Sequence, residues 1–268
     1  MAPRVVLPHI SGMITRFFGR ARPQPQSVAV APEVPPRSCV YAVGDIHGRV
    51  DLLWELHQLI REDAARRQVP RNVVVYLGDY IDRGAESPGV IDLLLDRPLR
   101  GFERIHLKGN HEDSLMRFLD DTSIGQSWMV YGGAETLQSY GIRPPRGTSP
   151  SEDMMRAQSE LRQKLPERHR RFMAGLQLTH EEGDYLFTHA GVRPGVPLDE
   201  QIEQDLLWIR DEFLSSDAEF GKIVVHGHSI TTRPDVQPNR IGIDTGAFAS
   251  GTLTCLVLHG TELNFLQT

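Results

Sequence analysis

Five short clusters in this chain set glycine beside aspartate, asparagine or histidine. They are Gly44-Asp45-Ile46-His47-Gly48, Gly78-Asp79-Tyr80-Ile81-Asp82-Arg83-Gly84, Gly109-Asn110-His111-Glu112, Thr188-His189-Ala190-Gly191 and His226-Gly227-His228-Ser229. Carboxylate, amide oxygen and imidazole together suit hard-to-borderline divalent ions; with no thiolate in the set these are Mn2+, Fe or Zn2+. One ion cannot use so many donors, but two ions bridged by a carboxylate can. A two-metal site clamps the attacking and leaving oxygens of an in-line phosphoryl displacement. Taken singly, Gly-Asp is an ordinary turn and a histidine at a strand end an ordinary structural residue. Five such clusters, each closing an apolar run, call for a common cause.

The elements around them supply one. Residues 39–43 (Cys-Val-Tyr-Ala-Val) and 72–77 (Asn-Val-Val-Val-Tyr-Leu) read as buried strands, each ended by glycine, and 104–107 as a third. Between them, residues 52–67 carry Leu53, Leu56, Leu59 and Ile60 at helical spacing, and 87–95 begin a helix with Pro88 in the first turn. Alternating strand and helix makes the first half α/β with mostly parallel pairing. The carboxyl ends of parallel strands share one rim, where sites form. The spacing therefore predicts that Asp45, His47, Asp79, Asp82, Asn110 and His111 meet there. In the second half, Ser149-Pro150-Ser151-Glu152 resembles a capping box opening a helix that runs to about Leu165. Residues 176–179 and 185–188 flank His180–Asp184 as a hairpin, and further strands are predicted at 222–225, 240–243 and 253–258. The expected architecture is one domain whose halves each contribute a sheet, with helices outside.

Charge and composition narrow the partners. The first 37 residues hold five arginines and one glutamate, a net +4, so the remainder carries −10 of the chain's −6. A body that acidic is a poor match for nucleic-acid phosphates, so no nucleic-acid polymer is expected as partner. Residues 1–37 read as a basic, poorly ordered tail, with Pro23, Pro25, Pro32, Pro35 and Pro36 in its second half, ahead of a catalytic domain over 38–268. Within the tail, Ile10, Met13, Ile14, Phe17 and Phe18 fall on one helical face near Arg16, Arg20 and Arg22, a candidate for peripheral membrane or partner docking through residues 10–22. No apolar run is long enough for a membrane-spanning helix. Cys39 and Cys255 sit among apolar residues and read as buried free thiols in a reducing compartment, the cytoplasm.

In that order the clusters resemble the GDxHG, GDxxDRG, GNHE, H and GH motifs of the phosphoprotein phosphatase family of calcineurin-like metallophosphoesterases, over nearly all of residues 39–260. Leu206–Arg210, Trp128 with Gly132-Gly133, and Ile243–Ala247 resemble its compact bacterial and phage branch of serine/threonine protein phosphatases. The resemblance implies an α/β metallo-dependent phosphatase fold, a two-sheet mixed β-sandwich flanked by helices. It implies two divalent metal ions, Mn2+ foremost. Asp45 and His47 hold the first, Asp79 bridges both, and Asn110, His189 and His228 hold the second. Arg83 and Arg210, with Asn110, grip the phosphate. His111 is the general acid and Asp82 the carboxylate that orients it, while a metal-bound hydroxide attacks phosphorus. His226 and His228 share strand parity, and the family's Gly-His pair favours His228.

The expected activity is hydrolysis of phosphate monoesters in phosphoproteins or phosphopeptides. The alternative is a dinucleoside tetraphosphatase built on the same ligands, and a third reading is a silent metal-binding scaffold. The segment 128–176, with Trp128, Tyr131, Tyr140, Arg143 and Arg146, and the loop 193–204 are expected to line the substrate rim. Those aromatic and basic side chains could serve as core, rim or nucleotide contacts.

Overall fold

The computed structural model describes residues 31–145 and 150–268. The amphipathic stretch at 10–22 and the capping residue Ser149 lie outside the described residues. Among the described residues, ten strands form two five-stranded sheets: β1 (Ser38–Val43), β2 (Arg71–Tyr76), β3 (Phe102–His106), β4 (Thr179–Glu182), β5 (Tyr185–Thr188), β6 (Ile223–His226), β7 (Asp235–Val236), β8 (Arg240–Gly242), β9 (Thr254–His259) and β10 (Glu262–Gln267). The first sheet runs β10-β9-β1-β2-β3 and the second β4-β5-β6-β8-β7. Three helices pack early in the chain: α1 (Val50–Arg67), α2 (Ser87–Asp96) and α3 (Asn110–Asp120). The result is a two-sheet mixed sandwich flanked by helices.

The apolar runs are continuous because both faces of the sheets are buried. Val40, Ala42, Val73, Val75, Leu256 and Leu258 point between the sheets, against Phe187, Val225, Ile241 and Ile243. Their neighbours Tyr41, Val43, Val74, Tyr76 and Val257 point the other way and meet Leu53, Leu56 and Ile60 of α1 and Ile91 of α2. Leu186 and Val224 cover the outer face of the second sheet together with Leu206 and Phe213. Cys39 and Cys255 are buried free thiols.

Three expectations change. The two halves do not each build a sheet, because the C-terminal hairpin β9–β10 crosses back and pairs antiparallel with β1. A parallel β1 edge must be covered, and a late apolar strand is the chain's available cover. The hairpin between β4 and β5 is tighter than expected. Thr179–Glu182 pair with Tyr185–Thr188, leaving Gly183 (φ 59°) and Asp184 as the turn. Residues 31–37 also belong to the body. Val34 is buried in the inter-sheet core, its N–H donates to Gly260 O, and Glu33 N–H donates to the Asp184 carboxylate.

Two histidines behind the first sheet, His57 buried and His106 half-buried, give a stability prediction. His57 Nε2 lies 2.8 Å from the Tyr76 hydroxyl, and the His106 ring stacks on Tyr76 at 5.0 Å. Burial pushes the pKa of each down to about 4. Unfolded, both titrate near the ordinary 6.5, so between these values the unfolded chain binds more protons. Their contribution is complete above about pH 6.5 and is lost as pH falls toward 4, on the order of 2–3 kcal/mol per ring. Urea midpoints are expected to fall between pH 7 and 4.5, less steeply in His57→Gln; equal slopes in the variant and the parent would remove His57 from this account.

No helix among the described residues is long and apolar enough to cross a membrane.

Candidate active site

β1, β2 and β3 run parallel, and so do β5, β6 and β8. Their carboxyl ends converge on one buried centre. After β1 come Asp45 and His47, after β2 Asp79 to Arg83, and after β3 Asn110 and His111 in the first turn of α3. From the second sheet come His189 after β5, His228 after β6 and Asp244 after β8. Asp45, His47, Asp79, Asp82, Asn110, His111, His189 and His228 are all buried.

These loops turn sharply. Among the described residues seven non-glycine positions have positive φ, and five belong to the site: His47, Asp79, Asp82, Arg83 and His228. Backbone in this region is strained for a side-chain-bearing residue and persists where surrounding contacts over-determine it. Glu112 supplies many of them. Its carboxylate accepts the N–H groups of Gly109, Asp79 and Tyr80 at 2.8–3.0 Å, and that of Ile81 at 3.3 Å. Gly109 must stay small, since a Cβ there would stand 2.1 Å from Asp79 Oδ1.

The donor atoms form two groups that share Asp79. His47, Asp79 and His111 make one, and Asp79, His189 and His228 the other, each with ligand atoms within 4.8 Å. Hydrogen bonding assigns the imidazole faces. His47 Nδ1 donates to Ile81 O at 2.8 Å, so Nε2 presents a lone pair, 3.5 Å from Asp79 Oδ2. His189 Nδ1 donates to Leu77 O at 2.9 Å, so its Nε2 lone pair faces Asn110 Oδ1 at 2.9 Å and Asp79 Oδ1 at 3.4 Å. His228 Nδ1 meets the same Asn110 oxygen at 2.9 Å. Acceptor facing acceptor in a buried site is unfavourable unless a cation lies between. Asp45 Oδ1, His47 Nε2 and His228 Nε2 are buried without a hydrogen-bond partner. Burial pushes the pKa of His47 down to about 3 and of His228 to about 2, and lowers that of His189, so all three are neutral at pH 7 and keep a lone pair to offer. The residues fit a pair of divalent cations.

His111 is built differently. Its Nδ1 lies 2.6 Å from Asp82 Oδ2. Burial opposes charge on the ring, but the Asp79 and Asp82 carboxylates outweigh it and raise the pKa to about 9. With Nδ1 on Asp82, the ring has Nε2 left to turn toward the centre. Asp45 adds a further buried oxygen without a hydrogen-bond partner. Asp45 Oδ2 meanwhile accepts the His228 N–H at 3.0 Å. Asp82 is fixed in turn: Trp128 Nε1 donates to Oδ2 at 2.7 Å and Thr136 Oγ1 to Oδ1 at 2.6 Å.

The two arginines flank this centre. Arg83 Nη2 lies 3.4 Å from His111 Nε2, and its guanidinium sits 4.9 Å over the Phe248 ring. Arg210 reaches His228 O at 3.4 Å. His226 stays apart. Its Nδ1 donates to Gly227 O and its ring packs edge-on against Phe213, so geometry groups His228 with the site and leaves His226 in the core.

Much of the expected rim lies elsewhere. Trp128 is buried behind Asp82, Tyr140 bonds His169 Nδ1 at 2.8 Å, and Arg193 is tied to Asp205 and Glu212. Arg146 lies outside the described residues. Of that segment, Met129–Gly132 stand beside Arg83. Sequence reasoning assigned no role to Glu112, Thr136 or Asp244. Asp244 is buried against Asp45 with Oδ2 unpartnered, and its signal was present: an apolar strand closed by Asp and Gly, as in the other clusters. Thr136 is 54 residues from Asp82, and no local pattern connects them.

Residues 40–247 match the calcineurin-like phosphoesterases. The chain belongs to that family. Its members similar to this chain include a serine/threonine-protein phosphatase 2 of Escherichia coli, 28% identical across 80% of this chain and 90% of that protein. A bis(5'-nucleosyl)-tetraphosphatase of Geobacillus thermodenitrificans is 26% identical over 80% of this chain and 88% of its own length. A yeast PP2A-like serine/threonine phosphatase is 38% identical, but the match spans only 24% of that protein. The crystal structure of a putative diadenosine tetraphosphatase superposes with a TM-score of 0.54 at 20% identity, covering 89% of this chain and 98% of that one, a likeness of fold. As a metallophosphoesterase with two metal-binding groups, the protein hydrolyses phosphate esters.

Proposed function

We propose that this phosphoesterase removes phosphate from serine and threonine residues of proteins. The observation that carries the reading is the His111–Asp82 pair, braced by Trp128 and Thr136. A serine alkoxide is a very basic leaving group and departs only if protonated. A polyphosphate leaving group is already a stabilised anion and needs no such acid. An imidazole whose protonated form is favoured by a fixed carboxylate suits the alcohol ester.

The roles follow from chemistry at each atom. Asp45, His47 and Asp79 would hold one divalent cation, and Asp79, Asn110, His189 and His228 the other. A pair of divalent ions held there would activate water as the nucleophile and offset charge on the phosphoryl oxygens. Manganese suits the oxygen and nitrogen donors. Arg83 and Arg210 grip the phosphate, a task matched to the planar guanidinium, with Asn110 beside them. His111 Nε2 gives its proton to the departing oxygen. Asp82 holds the ring in orientation and stabilises its charge. Two buried free thiols and the acidic body support a cytoplasmic protein that acts on phosphoproteins and not on nucleic-acid polymers.

The second reading, a dinucleoside tetraphosphatase, is favoured by the likeness to the Geobacillus protein over most of both chains. Rates on a phosphoserine peptide, a phosphotyrosine peptide and diadenosine tetraphosphate, each with Mn2+ added, separate the two. The phosphoserine peptide is expected to have the highest kcat/KM; a tetraphosphate value at least tenfold higher would reverse the assignment.

A further inference from the structure

Beside the reaction centre opens a cleft of about 420 Å3, lined by Arg83, Met129, Val130, Tyr131, Glu135 and Phe248. Its position relative to the chemistry is set by Arg83. One end of that guanidinium lies 3.4 Å from His111 Nε2, the nitrogen facing the departing oxygen. The same group packs on Phe248, whose ring meets His47 edge-on at 5.6 Å. The cleft therefore begins where the leaving group departs. Its other wall is fastened to Arg83: the Arg83 N–H donates to Gly132 O at 3.2 Å, and Nε to Tyr131 O at 3.4 Å. Gly132 has φ 113°, and a Cβ there would press on Arg83 at 2.7 Å, so this close approach of wall to arginine requires glycine.

The lining mixes polar and apolar groups, and two of its apolar side chains stand out to solvent. Val130 is 79% exposed and Tyr131 53%, side by side at the mouth. Adjacent exposed apolar side chains beside a site mark a binding surface. Two charges line the cleft. Arg83 faces the phosphate, and Glu135 is negative. A polyphosphate leaving group would bring further negative charge to Glu135 with no second cation in the lining to offset it.

We propose that this cleft receives an apolar side chain flanking the phosphorylated residue of a peptide, with Val130 and Tyr131 as its specificity-determining contacts. The proposal rests on the phosphopeptide reading above and goes further, to which phosphopeptides are preferred. Burying such a side chain changes selectivity by about 10–200-fold.

The test uses two phosphoserine peptides that differ only in carrying leucine or glycine on both sides of the phosphoserine. The full-length protein with Mn2+ is expected to favour the leucine peptide at least tenfold in kcat/KM, mainly through KM. Val130→Ser with Tyr131→Ser is expected to bring the ratio below about threefold while leaving kcat on para-nitrophenyl phosphate unchanged. Both positions are exposed, so the variant keeps its core, and the para-nitrophenyl rate checks that. If the parent protein turns over both peptides equally, or the variant keeps the preference, the cleft assignment is overturned and the phosphatase reading stands. If neither peptide is hydrolysed while diadenosine tetraphosphate is, both fall together.

Discussion

Asp79→Asn is expected to lose bound metal and turnover together. Asp79 is the shared donor of both groups: Oδ2 lies 3.5 Å from His47 Nε2, and Oδ1 lies 3.4 Å from His189 Nε2. Oδ1 also accepts the His111 N–H at 3.2 Å, a free donor of the first turn of α3. An amide keeps the shape and removes the charge, leaving one carbonyl oxygen where two carboxylate oxygens faced two sites. The expected loss in kcat is at least about 10³-fold, some 4 kcal/mol of transition-state stabilisation. Metal analysis after desalting is expected to drop from two ions per chain to one or none. Binding to the folded state alone raises the melting temperature, so added Mn2+ is expected to raise that of the parent protein more than that of the variant. A variant that keeps two ions and the parent rate would remove Asp79 from the bridging position.

His111→Asn is expected to act on the leaving group and not on the metals. For a phosphoserine peptide kcat is expected to fall by about 10²–10⁴-fold, the usual worth of a positioned proton donor. Para-nitrophenolate needs no proton to depart, so its ester is expected to keep its rate within about tenfold. The pH dependence follows from the raised pKa of His111. The Asp82 carboxylate favours the protonated ring, which is the form that can donate, so the phosphoserine rate is expected to fall on the alkaline side as the ring loses its proton. In the asparagine variant that alkaline limb is expected to vanish. Equal losses on the two esters would take the acid role away from His111. Retained metal content in this variant, beside its loss in Asp79→Asn, separates the two functions on one site.

The degree to which the site was legible in the sequence follows from how each residue is placed. Asp45, His47, Asp79 and Asn110 stand at the ends of apolar strands, and a parallel sheet brings those ends to one rim. Strand periodicity and one glycine per turn were enough to draw them together. His226 and His228 were not separable this way, because residues two apart share a face. The tertiary structure separates them: His228, at φ 62°, turns to Asn110, while His226 continues its strand into the contact with Phe213.

The chain by itself determined the chemistry on offer: oxygen and imidazole donors without thiolate, two arginines, and a histidine with a carboxylate in reach. Local spacing also determined β1, α1, β2 and α2, since periodicity is a property of neighbours along the chain. The tertiary structure alone decided which sheet the C-terminal hairpin joins, that Trp128 and Thr136 brace Asp82, and that Val130, Tyr131 and Phe248 meet at Arg83. Those contacts join residues far apart along the chain, where no local pattern reaches, and they form only once the two sheets have packed.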